Sequence, residues 1–204
     1  MTVRPVVHIV DDDDSLRGAM ERLLAAAGRA VRVYASAGEF LLDPPADAPG
    51  CLLLDLRLPG PSGLDLQEAL KRHCIALPVI FLTGHGDLQT GVRAMKAGAV
   101  DFLTKPVERD VLFDAVDRAL AVDAARRADR QSADDLQARY AQLTPREREV
   151  FALVVAGQLN KQIAGQLGIG ERTVKAQRAQ VMAKLGASTA AELGRFAAQL
   201  RASH

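Results

Sequence analysis

Four aspartates in a row, Asp11 to Asp14, follow the apolar run VVHIV and precede a helix-like segment. Adjacent carboxylates repel, so a fold that gathers them at a strand end needs an opposing charge. Farther along, Asp55 closes the run CLLLD, Thr83 closes PVIFLT, and Lys105 with Pro106 follows VDFLT. Carboxylates with a hydroxyl and an ammonium, and without histidine or thiolate, make a hard oxygen set. Such a set suits Mg²⁺, which takes a few carboxylates and keeps its waters. A carboxylate beside a divalent cation and a lysine can attack phosphorus and carry an acyl phosphate. The two positive charges would neutralise charge on the transferring group. A lone aspartate after a strand is more often a cap, and Asp13 and Asp14 read that way, at the positive end of a helix beginning near Ser15.

The runs VVHIV, VRVY, CLLLD, PVIFLT and VDFLT have strand length, and most are apolar throughout rather than alternating. Strands covered on both faces look like this, as in a parallel sheet. Helix-like segments near 15–27, 36–42, 64–73, 87–97 and 107–122 lie between and after them. Five strand–helix alternations predict a parallel α/β domain with right-handed crossovers. In such sheets ligands gather outside the carboxyl ends of the strands. Asp11 and Asp12, Asp55, Thr83 and Lys105 all fall at those ends, which predicts that one rim collects them.

The chain of 204 residues is long enough for two modest domains. Its charge is uneven: 13 basic and 18 acidic residues precede position 125, and 13 and 7 follow, so −5 gives way to +6. A basic second half suggests a polyanionic partner. No apolar run approaches the roughly 20 residues of a membrane span, and the N-terminus lacks a signal peptide's apolar core. A cytoplasmic protein that does not engage membranes is expected. Cys51 and Cys74 sit in apolar stretches and read as core fillers rather than a disulfide. His8 reads as a core-strand residue, His73 and His204 as surface residues.

After Val122 the segment DAARRADRQSADD is polar, alanine-rich and free of Gly and Pro, which predicts a solvated helix over 123–140. The chain beyond it has no strand-like run. Thr144, Pro145 and Glu147 make a capping box with proline at the first helical position. Asn160 can cap a helix over 161–167, Gly170 one over 171–185, and Thr189 to Glu192 repeats the box spacing. A short helix, a glycine-containing turn and a longer basic helix spell helix-turn-helix. On 171–185, Val174, Val181 and Leu185 share a core-facing stripe; Lys175, Ala176, Ala179 and Met182 share another, with Arg178 at its edge.

The stretches HIVDDDDSLR, LLLDLRLPGPSGLDL, VIFLTGHGD and AMKAGAVDFLTKP together resemble the receiver domain of two-component response regulators. The segment LTPREREVFALVVAGQLNKQIAGQLGIGERTVKAQRAQVMAKL is similar to LuxR/NarL-type DNA-binding domains, and TGHGD, MKAGAVDF and the helical linker resemble the FixJ subgroup. The resemblance implies a flavodoxin-like (βα)5 doubly wound receiver at 1–122, a linker at 123–140 and a four-helix DNA-binding domain at 141–204. It implies phosphorylation of Asp55 by a partner histidine kinase. Mg²⁺ would be held by Asp12, Asp55 and the backbone carbonyl of Arg57, with Asp11 acting through water. Lys105 would hold the phosphoryl group, before a cis bond to Pro106. Thr83 and Phe102 would be the switch residues, and Arg57 and His85 would tune the phosphate's lifetime.

For the basic domain the resemblance places Lys175, Ala176 and Ala179 against base edges. Arg178 is the further residue expected to read DNA, since arginine pairs well with guanine in the major groove. Lys161 and Lys184 read as phosphate contacts. Where relatives carry VH after the lysine, this chain has Ala176 and Gln177, so no relative's operator carries over. The implied partners are the kinase, double-stranded DNA, a second copy after phosphorylation and, as a further option, RNA polymerase. The implied protein is a transcription regulator rather than an enzyme. Two other readings are a Mg²⁺-dependent phosphohydrolase, against which Arg57 stands two residues after Asp55, and a phosphate-independent pseudo-receiver.

Overall fold

A computed structural model describes residues 4–45, 47–84 and 88–202. They form two compact units, Met1–Arg126 and Arg127–His204. The first alternates β1 (Val6–Val10), α1 (Asp14–Ala26), β2 (Ala30–Tyr34), α2 (Ala37–Leu42), β3 (Gly50–Asp55), α3 (Gly63–Arg72), β4 (Val79–Thr83), α4 (Leu88–Lys96) and β5 (Asp101–Thr104). It ends in α5 (Arg109–Ala141), one helix of 33 residues within which the expected linker lies. All strand pairs are parallel, in the order β2-β1-β3-β4-β5. That is the doubly wound, flavodoxin-like order expected from the sequence.

Unbroken apolar runs suit the inner strands because side chains alternate between faces and both faces are covered. Leu52 and Leu54 of β3 join Phe40, Leu66, Leu70 and Phe81 on one side. Cys51 and Leu53 join Leu24, Ile80, Leu112 and Val116 on the other. Gly50 starts β3 so close to β1 that a Cβ there would lie 2.2 Å from the Val6 carbonyl oxygen. The adjoining Gly50 N–H donates to the buried Asp123 Oδ2 at 3.0 Å.

Local signals set the helix ends. Asp13 caps α1, accepting from the Ser15 and Leu16 N–H groups at 2.9 and 3.1 Å, so the helix begins at Asp14. Ser62 and Asp65 form a capping box on α3. At the far end of α3 the structure corrects the reading of Cys74 as core filler. Cys74 is exposed, at a left-handed φ of 56°. Its N–H and that of Ile75 close back on Lys71 and Leu70, a turn that usually takes glycine. His73 is exposed, and Cys51 is buried as expected.

His8 is buried in β1, its Nδ1 3.0 Å from the Tyr34 hydroxyl and its ring edge-on to Phe40. Arg32 lies opposite it on β2. Burial, aided by the Arg32 charge, pushes the imidazole pKa down from 6.5 to about 4. Between those values the unfolded chain binds a proton that the native state refuses, so stability falls as pH falls from 6.5 to 4. The loss attributable to His8 is roughly 3 kcal/mol. Urea unfolding of the N-terminal unit, followed by circular dichroism, should show that much less acid loss in His8→Leu than in the unsubstituted chain.

Candidate functional site

The carboxyl ends of β1, β3, β4 and β5 bring together the residues singled out from the sequence. Asp11 and Asp12 follow β1, Asp55 ends β3, Thr83 ends β4, and Lys105 follows β5. One carboxylate oxygen from each of Asp11, Asp12 and Asp55 lies within 4.8 Å of the others. Oxygens sharing one Mg²⁺ at roughly 2.1 Å sit about 3 to 4 Å apart. Small side-chain rotations therefore fit this all-oxygen set to that cation. Asp12 is exposed at the rim, whereas Asp11, Asp55 and Thr83 are buried.

The Lys105 ammonium lies between two of these carboxylates, donating to Asp11 Oδ2 at 2.7 Å and standing 3.1 Å from Asp55 Oδ2. Burial opposes its charge, but the hydrogen bond to Asp11 and the charges of Asp11 and Asp55 outweigh that, and its pKa is raised. For Asp55 the balance tips the other way: burial raises the carboxyl pKa despite Lys105. Asp11 is hydrogen-bonded through both carboxylate oxygens. It receives the lysine on one oxygen and the Asp13 N–H on the other at 3.0 Å. Its carbonyl accepts from Arg17 Nη1 at 2.6 Å, a contact that nothing in the sequence announced.

Backbone geometry holds the rest of the rim. The Lys105 N–H donates to the Thr83 carbonyl at 2.7 Å, and the Lys105–Pro106 bond is cis. Gly63, the first residue of α3, passes so near Asp55 that a Cβ would lie 2.4 Å from the Asp55 carbonyl oxygen. Phe102 is half-buried, and a Cβ on Gly91 of α4 would meet its ring at 3.2 Å. Neither glycine carried a sequence signal, because a close approach is set by elements distant in the chain. Arg57 is exposed, with its N–H 3.4 Å from Asp55 Oδ1. His85 and His204 lie outside the described residues.

The second unit contains α6 (Pro145–Val155), α7 (Asn160–Leu167), α8 (Glu171–Leu185) and α9 (Ala190–Ala202). Both predicted capping boxes form, Thr144 with Glu147 and Thr189 with Glu192. Val174, Val181 and Leu185 are buried in its core, together with Phe151, Ile163 and Leu193. Met182, grouped from its helical position with the exposed stripe, packs partly against that core instead. Lys175, Ala176 and Ala179 are exposed on α8 and Lys161 on α7.

Three side chains of this unit, Asn160, Arg178 and Lys184, have partners that the sequence did not announce. Asn160 is not the cap of α7 but its first residue; Leu159 precedes the helix, and its N–H is held by Gln162 Oε1 at 2.8 Å. The Asn160 side chain instead accepts from Arg178 Nη1 at 2.7 Å, which ties α7 to α8 and half-buries the arginine. Lys184, read from the sequence as a phosphate contact, has partners within its own unit. Its ammonium meets Glu147 Oε2 at 2.7 Å and the Gln142 carbonyl at 3.3 Å, because the last turn of α8 lies beside the capped start of α6. The hydrogen bonds from Lys184 and Thr144 hold the Glu147 pKa below the usual carboxylate range.

Residues 7–117 match the response regulator receiver domain, and residues 141–197 match the bacterial regulatory proteins of the luxR family. The chain is 44% identical over 199 residues to nodulation protein W of Bradyrhizobium diazoefficiens, covering 98% of this chain and 88% of the relative. It is 45% identical over 191 residues to the transcriptional regulatory protein FixJ of Rhizobium meliloti, covering 94% of each. Among solved structures, the response regulator StyR superposes with a TM-score of 0.89 at 43% identity, covering 96% of this chain and 99% of that one. Full-length FixJ from B. japonicum gives 0.60 at 37% identity, covering 98% and 99%.

The Lys184–Glu147 pair separates two kinds of cation on the second unit. Lys184→Met should lower the melting temperature of that unit by roughly 5 °C and leave the salt dependence of DNA binding unchanged. Lys175→Met should leave the melt unchanged; fluorescence anisotropy titrations across a range of salt concentrations measure both slopes.

Proposed function

Because the chain belongs to the two-component response regulators that join a receiver to a LuxR-type DNA-binding domain, we propose that Asp55 is its phosphoacceptor and that phosphorylation switches dimerisation and DNA binding. The observation that carries this reading is the Asp55 carboxylate 3.1 Å from the Lys105 ammonium, in one rim with Asp11 and Asp12. An Asp55 oxygen attacks the phosphorus of a kinase phosphohistidine; the P–O bond forms as the P–N bond breaks, and the imidazole leaves. Asp12, Asp55 and the Arg57 carbonyl, with Asp11 through water, would hold Mg²⁺, which when bound would neutralise phosphoryl charge. Lys105 moves its hydrogen bond from Asp55 to a phosphoryl oxygen while Asp11 keeps it oriented. The receiver's own residues also support autophosphorylation from small phosphodonors and slow loss of phosphate, with Arg57 and His85 setting the lifetime.

The phosphoryl group adds charge and three acceptor oxygens at the end of β3. Thr83 turns its hydroxyl toward them, and Phe102 turns into the space it leaves. The α4–β5–α5 surface changes as a result and pairs with a second copy. In the domain division we favour, 1–122 is the receiver, 123–140 the linker and 141–204 the DNA-binding domain. Lys175, Ala176, Arg178 and Ala179 read base edges and Lys161 meets phosphate, with Arg178 exchanging Asn160 for a base. The setting is the cytoplasm, where paired subunits on an operator can meet RNA polymerase. Among the described residues no helix is long and apolar enough to cross a membrane.

Intact mass after incubation with acetyl phosphate and Mg²⁺ should show one phosphate adduct on the wild type and none on Asp55→Asn; steady phosphate release without an adduct would defeat the reading. In a selected operator, Lys175→Ala or Arg178→Ala should each cost roughly 1–3 kcal/mol of specific binding. Unchanged affinity in both would remove α8 as the reading helix.

A further inference from the structure

Asp11 and Asp12 are neighbours on the rim but are held in opposite ways. The Asp11 N–H donates to the Tyr34 carbonyl at 3.2 Å, and its carbonyl accepts from Arg17 Nη1 at 2.6 Å. Both of its carboxylate oxygens are engaged as well, by the Asp13 N–H and by Lys105. Asp12 is exposed, and its carboxylate has no hydrogen-bond or ion-pair partner among the described residues. A metal ligand that is not aimed in advance must be ordered when the metal binds, at a cost in conformational entropy. For Asp12 the aim comes from the backbone on either side. The peptide after it is held by the Asp13 N–H on Asp11 Oδ1 at 3.0 Å. The peptide before it is held by Arg17 on the Asp11 carbonyl. Peptide groups are planar, so fixing both sets φ and ψ at Asp12 and with them the direction of its Cα–Cβ bond.

Two ordinary roles do not account for this arginine. It is not needed to start α1, because Asp13 already caps that helix. Its Nη2 pairs with the Asp14 carboxylate, but Asp14 is 87% exposed, and surface pairs of this kind contribute little. Such a pair alone would leave the arginine in solvent, whereas its side chain is 14% exposed. The guanidinium is drawn inward by the Asp11 carbonyl, six residues back. Charge does not explain its place either, since a positive group beside these acids repels a cation bound there. We propose that Arg17 is a positioning residue of the metal site, pinning the Asp11–Asp12 peptide and so aiming the Asp12 carboxylate at the cation. The inference rests on the reading of the rim as a Mg²⁺ site. Arg17 acts there through the backbone, as outer partners of metal ligands do.

The sign of one measurement separates positioning from electrostatics. Mg²⁺ is titrated into the isotope-labelled full chain at fixed ionic strength, and the NMR amide shifts of Asp13 and Arg57 give the Kd. Arg17→Met removes a positive charge, so charge alone would tighten Mg²⁺ binding. Positioning requires the reverse, a loss of roughly tenfold. Arg17→Lys returns a donor for the Asp11 carbonyl and should bind Mg²⁺ more tightly than Arg17→Met, whereas charge alone ranks them the other way. Asp14→Asn breaks the surface pair, keeps the carbonyl contact and should stay within about twofold of the wild type. Melting curves check each variant; if Arg17→Met does not fold, Arg17→Gln, uncharged and too short for the carbonyl, takes its place. A wild type that does not saturate with Mg²⁺ would defeat the reading of the rim, and this inference with it. A saturating wild type with an equal or tighter Arg17→Met, or with Asp14→Asn as weak as Arg17→Met, overturns the inference alone.

Discussion

The ammonium of Lys105 between Asp11 and Asp55 is the contact on which the first unit's rim depends. Two buried carboxylates at neighbouring strand ends repel and lose their hydration. A lysine arriving from β5 offsets both costs, and it reaches them only because β5 joins the far edge of the parallel sheet. The lysine is thereby oriented before any phosphoryl group arrives, which lowers the reorganisation that the proposed transfer requires. In the proposed transfer Asp11 would remain as its anchor while Asp55 changes chemistry, so the two acids would have different jobs despite similar surroundings.

In the second unit the corresponding constraint is the Glu147–Lys184 pair. One carboxylate closes the capping box of α6 and also receives the end of α8. The orientation of the helix proposed to read DNA is therefore referenced to the start of the domain. At the middle of the same helix, Arg178 on Asn160 joins α8 to α7. A cation held by a neutral amide is easier to release than one held by a carboxylate. Arg178 is therefore the more available of these two cations for DNA.

Much of the rim and both domains were legible in the chain. Unbroken runs such as CLLLD demanded strands covered on both faces, and the order of strands then required Asp55, Thr83 and Lys105 at one end. The boxes at Thr144–Glu147 and Thr189–Glu192 are local, with partners three residues apart, and local spacing is what a sequence displays. Asn160 shows the limit of that logic. Its cap signal was sound, but a tertiary donor, Arg178, took the side chain and left Gln162 to hold the preceding N–H. Cys74 shows another limit: an apolar neighbourhood does not reveal that the backbone must turn left-handed just there.

Residue type, apolar periodicity and short-range caps determined the two domains, the parallel sheet and the set of acids and lysine at its rim, because these depend on contacts within a few residues or on strand order. Tertiary structure alone decided which charges are spoken for. Lys184 is turned inward by Glu147, 37 residues away, while Asp11 meets a lysine 94 residues on. Gly63 and Gly91 are small because another element's backbone or ring approaches them. Spacing along the chain carries no record of such meetings, since they are fixed by how helices pack across the sheet.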